Sequence, residues 1–217
     1  MKTIIGIGLV LTVLAFSSCR EHETLTLATP NYMPMEIGNY WIYHWYFEDP
    51  NGNDTFHLGA TADSTIIEKD TVINGTTYYK VVSHMISLTT NAVNHINVSF
   101  LRQSNTEVIN HEGKTLFSAN PPLGVFRIDT LVNDTPYVFA SYSWSATGST
   151  VSKTVNAGTF DCVENTAFAT YVENGVAQPK PNVYTYYQDN VGRVQTNAYL
   201  LSNERKVEMR LERYHLN

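Results

Sequence analysis

Seven histidines, two cysteines and 20 acidic residues are the groups in this chain with chemistry to offer. The histidines, His44, His57, His84 and His95 among them, are dispersed, and no H-E-x-x-H places two rings on one helix face. His111-Glu112 stands alone and reads as a turn. No G-x-S-x-G occurs, which argues against a nucleophile elbow of the hydrolase type, and no glycine-rich loop is built to cradle a phosphate. A carboxylate pair for glycoside hydrolysis would come from distant strands in a β fold and leaves no local motif. Asp49, Asn51, Asn53 and Asp54 form the best candidate metal loop, because Ca²⁺ takes alternate oxygen ligands on a glycine-containing turn. Its glycine, Gly52, is fourth where such loops need it sixth, and the twelfth place is Ala60 where a bidentate Glu belongs. The stretch therefore reads as a polar hairpin loop. The expectation is a protein that is not an enzyme, with no catalytic residues, resident metal or cofactor.

Aromatic residues are the other lead, with 14 Tyr, 9 Phe and 3 Trp. Trp41, Trp45 and Trp144 are candidates either for core anchors, for the lining of an apolar ligand pocket, or for a surface platform on which sugars stack. Cys162 lies in a β-rich stretch and reads as a small buried hydrophobe.

The remaining reactive group is Cys19, and what precedes it decides its chemistry. Lys2, an apolar run over residues 4–16 and the small pair Ser17-Ser18 follow the order of a secretory signal. The run is short of the ~20 residues that span a bilayer. With Cys19 next, Leu14-Ala15-Phe16-Ser17-Ser18-Cys19 resembles a bacterial lipobox, although Phe16 stands where the usual pattern has Leu. That resemblance implies cleavage before Cys19 and acylation of its thiol and amino group. Acyl chains contributing ~0.8 kcal/mol per buried CH₂ would hold the chain to a membrane without a transmembrane helix. A lipidated Cys19 leaves Cys162 without a disulfide partner. Removal of residues 1–18 takes away Lys2 and moves the formal charge from −6 to −7, an acidic balance with no electrostatic footprint for nucleic acid. Arg20-Glu21-His22-Glu23 lacks the Asp of inner-membrane retention. It weakly resembles the acidic surface-export signal of Bacteroidetes-type bacteria, and reads first as a solvated linker.

These residues need a scaffold, and the spacing of β-branched and aromatic residues supplies strands. Residues 19–35 read as the lipidated cysteine and its tether, and 36–217 as a single domain. Residues 37–47 are aromatic or β-branched almost throughout and predict a central strand covered on each side. Asn74-Gly75, both tolerant of positive φ, predicts a hairpin between strands 65–73 and 76–87. Shorter strands follow at 95–101, 107–109 and 115–117, and Asn120-Pro121-Pro122 breaks the chain near its midpoint because consecutive prolines remove ladder donors. Beyond it, strands are predicted at 125–132, 138–144, 150–155 and 159–172, a Pro-rich loop at 173–181, a hairpin of 183–188 with 192–200, and a last strand at 207–212 with one wet face. No amphipathic helix of normal length appears. The fold class is antiparallel all-β, either one curved sheet forming a half-barrel or a two-sheet sandwich.

Three segments carry a resemblance. They are Gly38-Asn39-Tyr40-Trp41-Ile42-Tyr43, then Val155-Asn156-Ala157-Gly158-Thr159-Phe160-Asp161-Cys162, then Tyr186-Tyr187-Gln188-Asp189-Asn190-Val191-Gly192-Arg193-Val194. Together they resemble a family of uncharacterised exported lipoproteins of Bacteroidetes-type bacteria, whose domains are similar to the β half-barrels of periplasmic lipoprotein carriers. The resemblance implies a curved antiparallel sheet around an apolar cavity and transfers no catalytic residue. It also implies an outer-membrane lipoprotein of the cell envelope, facing the periplasm or the cell surface. The expected function is binding of an apolar or amphiphilic ligand, with Trp41, Trp45 and Trp144 at the site. The alternative is a surface glycan-binding, adhesion or structural module. The expected partners are the membrane, through the anchor, and a lipid or glycan ligand, with no nucleic acid.

Overall fold

The structure, a computed structural model, describes residues 29–49, 56–119, 124–132, 138–173, 176–199 and 205–217. Cys19 and its signal segment, Asn51, Asn53 and Asp54, and the break at Asn120-Pro121-Pro122 lie outside the described residues. The described residues form strands and no helix. The first half holds β1 (Tyr40–Glu48), β2 (Phe56–Ile73), β3 (Thr76–Ser87), β4 (Val93–Ser104), β5 (Glu107–Asn110) and β6 (Thr115–Ser118). The second holds β7 (Arg127–Val132), β8 (Val138–Val155), β9 (Gly158–Glu173), β10 (Val176–Gln188), β11 (Gly192–Tyr199) and β12 (Lys206–His215).

All twelve belong to one antiparallel sheet in the order β6-β5-β4-β3-β2-β1-β12-β11-β10-β9-β8-β7. The first strand therefore pairs with the last in the middle of the sheet, and the consecutive strands β6 and β7 are its two edges. One sheet curled nearly into a barrel is the half-barrel expected from the sequence; the two-sheet sandwich is not what forms. Register shifts at Ile42/Tyr43, His44/Tyr46, Ile67/Lys69 and Tyr186/Tyr187 mark bulges, each of which increases local twist and bend. The hairpin turn at Asn74-Gly75 has the expected positive φ at both residues, 51° and 78°.

Among the described residues, side chains of β7 and β9 meet the end of β6 in place of a main-chain ladder. The Asn165 side-chain amide accepts from Ser118 N at 3.0 Å and donates to Ser118 O at 2.8 Å, imitating a strand partner for the end of β6. Arg127 on β7 donates to Leu116 O at 2.8 Å. Both Asn165 and Ser118 are fully buried, so these two bonds satisfy backbone groups that water cannot reach.

Three expectations need correction. β1 is central, but only Trp41 and Tyr43 are buried; its opposite face is half-covered. The tip of the β8–β9 hairpin bends across at the shift between Ala146 and Thr150, and Asn156 reaches Tyr46 Oη at 3.2 Å. The Pro-rich stretch read as a loop belongs to β10. Pro179 and Pro181 are tolerated there because this part of β10 pairs only with β9, while pairing to β11 begins at Tyr184. On β12 the charged face is not fully wet, for Glu208 is buried between Arg210 at 2.7 Å and Lys206 at 3.1 Å.

Candidate ligand-binding cavity

Asn39, Trp41 and Tyr43 stand two residues apart and share the inner face of the sheet by strand alternation. Each reaches across to another segment. Asn39, 1 % exposed, donates to Pro34 O at 3.0 Å and accepts from the Asn217 backbone at 2.8 Å. Trp41 donates its indole N–H to Val191 O at 2.6 Å, and Tyr43 donates its hydroxyl to Arg193 O at 3.0 Å. The Trp41 ring lies against Gly192, whose φ is +103° and where a Cβ would come within 3.3 Å of the indole nitrogen. The opening strand thus grips the turn between β10 and β11, and a residue without a side chain is required at the contact.

That turn sets the orientation of Arg193. Simple alternation gives Arg193 the same face as Gln195. The extra residue on β11 pairs Tyr186 with Gln195 but Tyr187 with Arg193, and so reverses the facing between the two. Arg193 and Tyr187 consequently both line the interior cavity. The guanidinium lies 4.9 Å from the centre of the Tyr43 ring, a cation–π contact. Burial pulls its pKa down, but Tyr43, Tyr187 and Asp63 outweigh that and carry it above its usual value, so Arg193 is a cation at every physiological pH. Burial pushes the Tyr43 phenol up to about 12. Asp63 is also raised by burial, opposed by the Trp45 indole at 3.1 Å and by Arg193.

The cavity encloses about 260 Å³. Trp41, Val81, Leu101, Val108 and Leu116 form its apolar wall, and Thr65, Ser83, Asn97 and Ser99 add polar groups. Residues 29–35 close one end as a strap. Tyr32 is buried against Phe117 with ring centres 5.0 Å apart, and Met33 lines the cavity. The strap is tied by Gln103, which donates to Pro30 O at 2.6 Å and accepts from Met33 N at 3.0 Å, and by Asn190 N donating to Asn31 O at 2.8 Å.

The three tryptophans do not converge. Trp41 lines the cavity, while Trp45 is half-buried against the core and bound to Asp63. Trp144 lines a separate open groove of about 590 Å³ along β7 and β8. There its indole donates to Asp129 at 2.9 Å, and one ring face is covered by Arg127 at 4.4 Å. Asp49, the one described member of the oxygen-rich loop, meets His57 at 3.1 Å. His44 pairs with Glu212 at 3.2 Å, and among the described residues no three His, Cys, Asp or Glu side chains gather as a metal site. Cys162 is fully buried, and burial raises its thiol pKa to about 12, which keeps it an unreactive thiol. The residues that sequence reasoning missed are Arg193, Tyr187, Asp63 and the strap. The available signal was a charged residue directly after Val191-Gly192, because a glycine within a strand often marks a bulge or a close backbone approach.

No family model and no curated protein matches the chain. Two solved structures are similar to it. One is a candidate exported protein of Bacteroides fragilis with a YmcC-like fold, 13 % identical, at a TM-score of 0.54 over 86 % of this chain and 100 % of that one. The other is a candidate lipoprotein of Parabacteroides distasonis, 15 % identical, at a TM-score of 0.52 over 87 % of this chain and 100 % of that one. At these identities the likeness is one of fold.

Proposed function

We propose that this chain is a membrane-anchored lipoprotein of the cell envelope, not an enzyme, whose half-barrel holds an apolar or amphiphilic ligand. The observation that carries the reading is the partly open cavity walled by Trp41, Val81, Leu101, Val108 and Leu116, in a sheet whose edges are joined by side chains among the described residues. The lipobox-like run ending at Cys19 supports the anchor, and the fold shared with two exported proteins of Bacteroidetes supports the address. At about 260 Å³ the cavity falls just under the ~300–1,000 Å³ of ordinary small-molecule sites. It suits one alkyl chain or a compact ring system and not a whole diacyl lipid. The three tryptophans then have separate roles, with Trp41 at the ligand and Trp45 and Trp144 in the frame.

Native mass spectrometry of the mature chain, purified without detergent from a bacterial envelope, tests this. A co-purifying mass of a few hundred daltons, lost on substituting Leu101→Trp to fill the cavity, is the expected result. A clean protein mass that takes up none of a panel of single-chain amphiphiles would overturn it.

A further inference from the structure

Among the described residues that line the cavity, Arg193 alone carries a charge. Its Nε has no hydrogen-bond partner, and among the described residues no carboxylate lies within ion-pair distance of the guanidinium. The nearest compensation is the Tyr43 side chain, whose ring and hydroxyl both meet the guanidinium, with the Asp63 carboxylate farther off. A half-buried cation whose Nε is out of reach of water and has no paired anion is costly to keep, and a purely apolar cavity would be cheaper to build from a well-packed hydrophobe. The β11 bulge makes the arrangement specific, since it is the register shift that turns Arg193 inward.

Resting on the cavity reading above, we propose that the ligand is a single-chain amphiphile with an anionic head, a carboxylate or a phosphate or sulfate ester. The head meets the Arg193 guanidinium and the tail lies on Trp41, Val81, Leu101 and Val108. The guanidinium fork matches such oxyanions in two-point hydrogen bonding, and the same cavity is lined by Ser99 and by the Thr65–Ser83 hydroxyl pair, bonded to each other at 2.7 Å with one O–H left to donate. Ligand binding supplies the missing countercharge.

Calorimetric titration of the mature chain with decanoate, decanol and acetate tests the proposal. Decanoate is expected to bind about tenfold more tightly than decanol, the increment of one charge-assisted hydrogen bond, and acetate not measurably. Arg193→Gln should bring the decanoate-to-decanol ratio close to one, and Arg193→Lys should restore part of it. If Arg193→Gln does not fold, Asp63→Asn serves instead, because removing the competing carboxylate should raise the ratio. Equal binding of decanoate and decanol by the unaltered chain, or a ratio that Asp63→Asn leaves unchanged or lowers, overturns the anionic head and leaves the cavity reading standing. Acetate binding as tightly as decanoate would assign the site to a small free anion and overturn the amphiphile. Failure of both ten-carbon probes would remove the cavity reading and the inference with it.

Discussion

Trp41 and Trp144 each donate an indole N–H to an oxygen, at 2.6 Å to the Val191 carbonyl and at 2.9 Å to the Asp129 carboxylate. The settings around those two bonds differ. Trp41 is enclosed, its acceptor is neutral backbone, and its ring rests on Gly192. Trp144 lies beside an open groove, its acceptor is charged, and Arg127 and Lys114 complete an ion cluster that bridges β7 to β6. The central contact is geometric and insensitive to salt, and it shapes the cavity. The edge contact is electrostatic and holds the seam. One residue type thus serves as wall in one region and as latch in the other.

The contrast can be broken by measurement. Trp41→Ala should cost about 3–5 kcal/mol in urea unfolding, as for large-to-small changes in a closed core. Trp144→Ala should cost distinctly less, because the groove is open and leaves no sealed void; equal losses would erase the distinction. Asn165→Leu should cost about 2–4 kcal/mol, since it strands the buried N–H and C=O of Ser118 at ~1–3 kcal/mol each. Its amides in β5 and β6 should exchange with solvent faster in hydrogen-exchange experiments, while those of β1 and β12 stay protected. Gly192→Ala should cost about 1–3 kcal/mol through a side chain forced to φ +103° against Trp41; a changed tryptophan emission maximum would report the displaced ring. Lys114→Met removes an ion pair whose lysine is exposed and whose aspartate is half-buried, so a loss of about 1 kcal/mol is expected, and the gap in melting temperature should shrink as salt rises. A salt-independent Lys114→Met effect, or a salt-dependent Trp41→Ala effect, would contradict the assignment of the two regions.

Strand placement was largely legible because period-two alternation and positive-φ turn residues act locally. Asn74-Gly75 turns where it was expected to, and the hairpin expected from 183–188 and 192–200 forms around Asp189-Asn190. Cys162 is the buried hydrophobe its neighbours suggested. What escaped was whatever depends on pairing between distant segments. Nothing near Pro179 and Pro181 announces that β11 begins its pairing only at Tyr184. The three motifs were readable one by one, yet their mutual contacts were not. Trp41 and Tyr43 hold the backbone of the Val191-Gly192-Arg193 segment, and Val155, Cys162, Tyr186 and Val194 share one core cluster with them. Arg193 was invisible as a site residue because alternation alone points it away from the cavity, and a bulge is a property of two strands together.

The meeting of β1 with β12 in the middle of the sheet has a consequence for how the chain is made. Within each half, every strand pairs with its neighbour in sequence, so β1 to β6 and β7 to β12 can each zip from short hairpins. The join between the halves waits for the last ten-residue strand. Contacts of such long sequence separation close slowly, after the local ones. Until Lys206–His215 arrives, the emerging polypeptide is two open meanders with the Trp41 and Tyr43 rings uncovered. A chain truncated before Lys206 should therefore remain protease-sensitive along β1, and docking of β12 on β1 should be the step that joins the two halves.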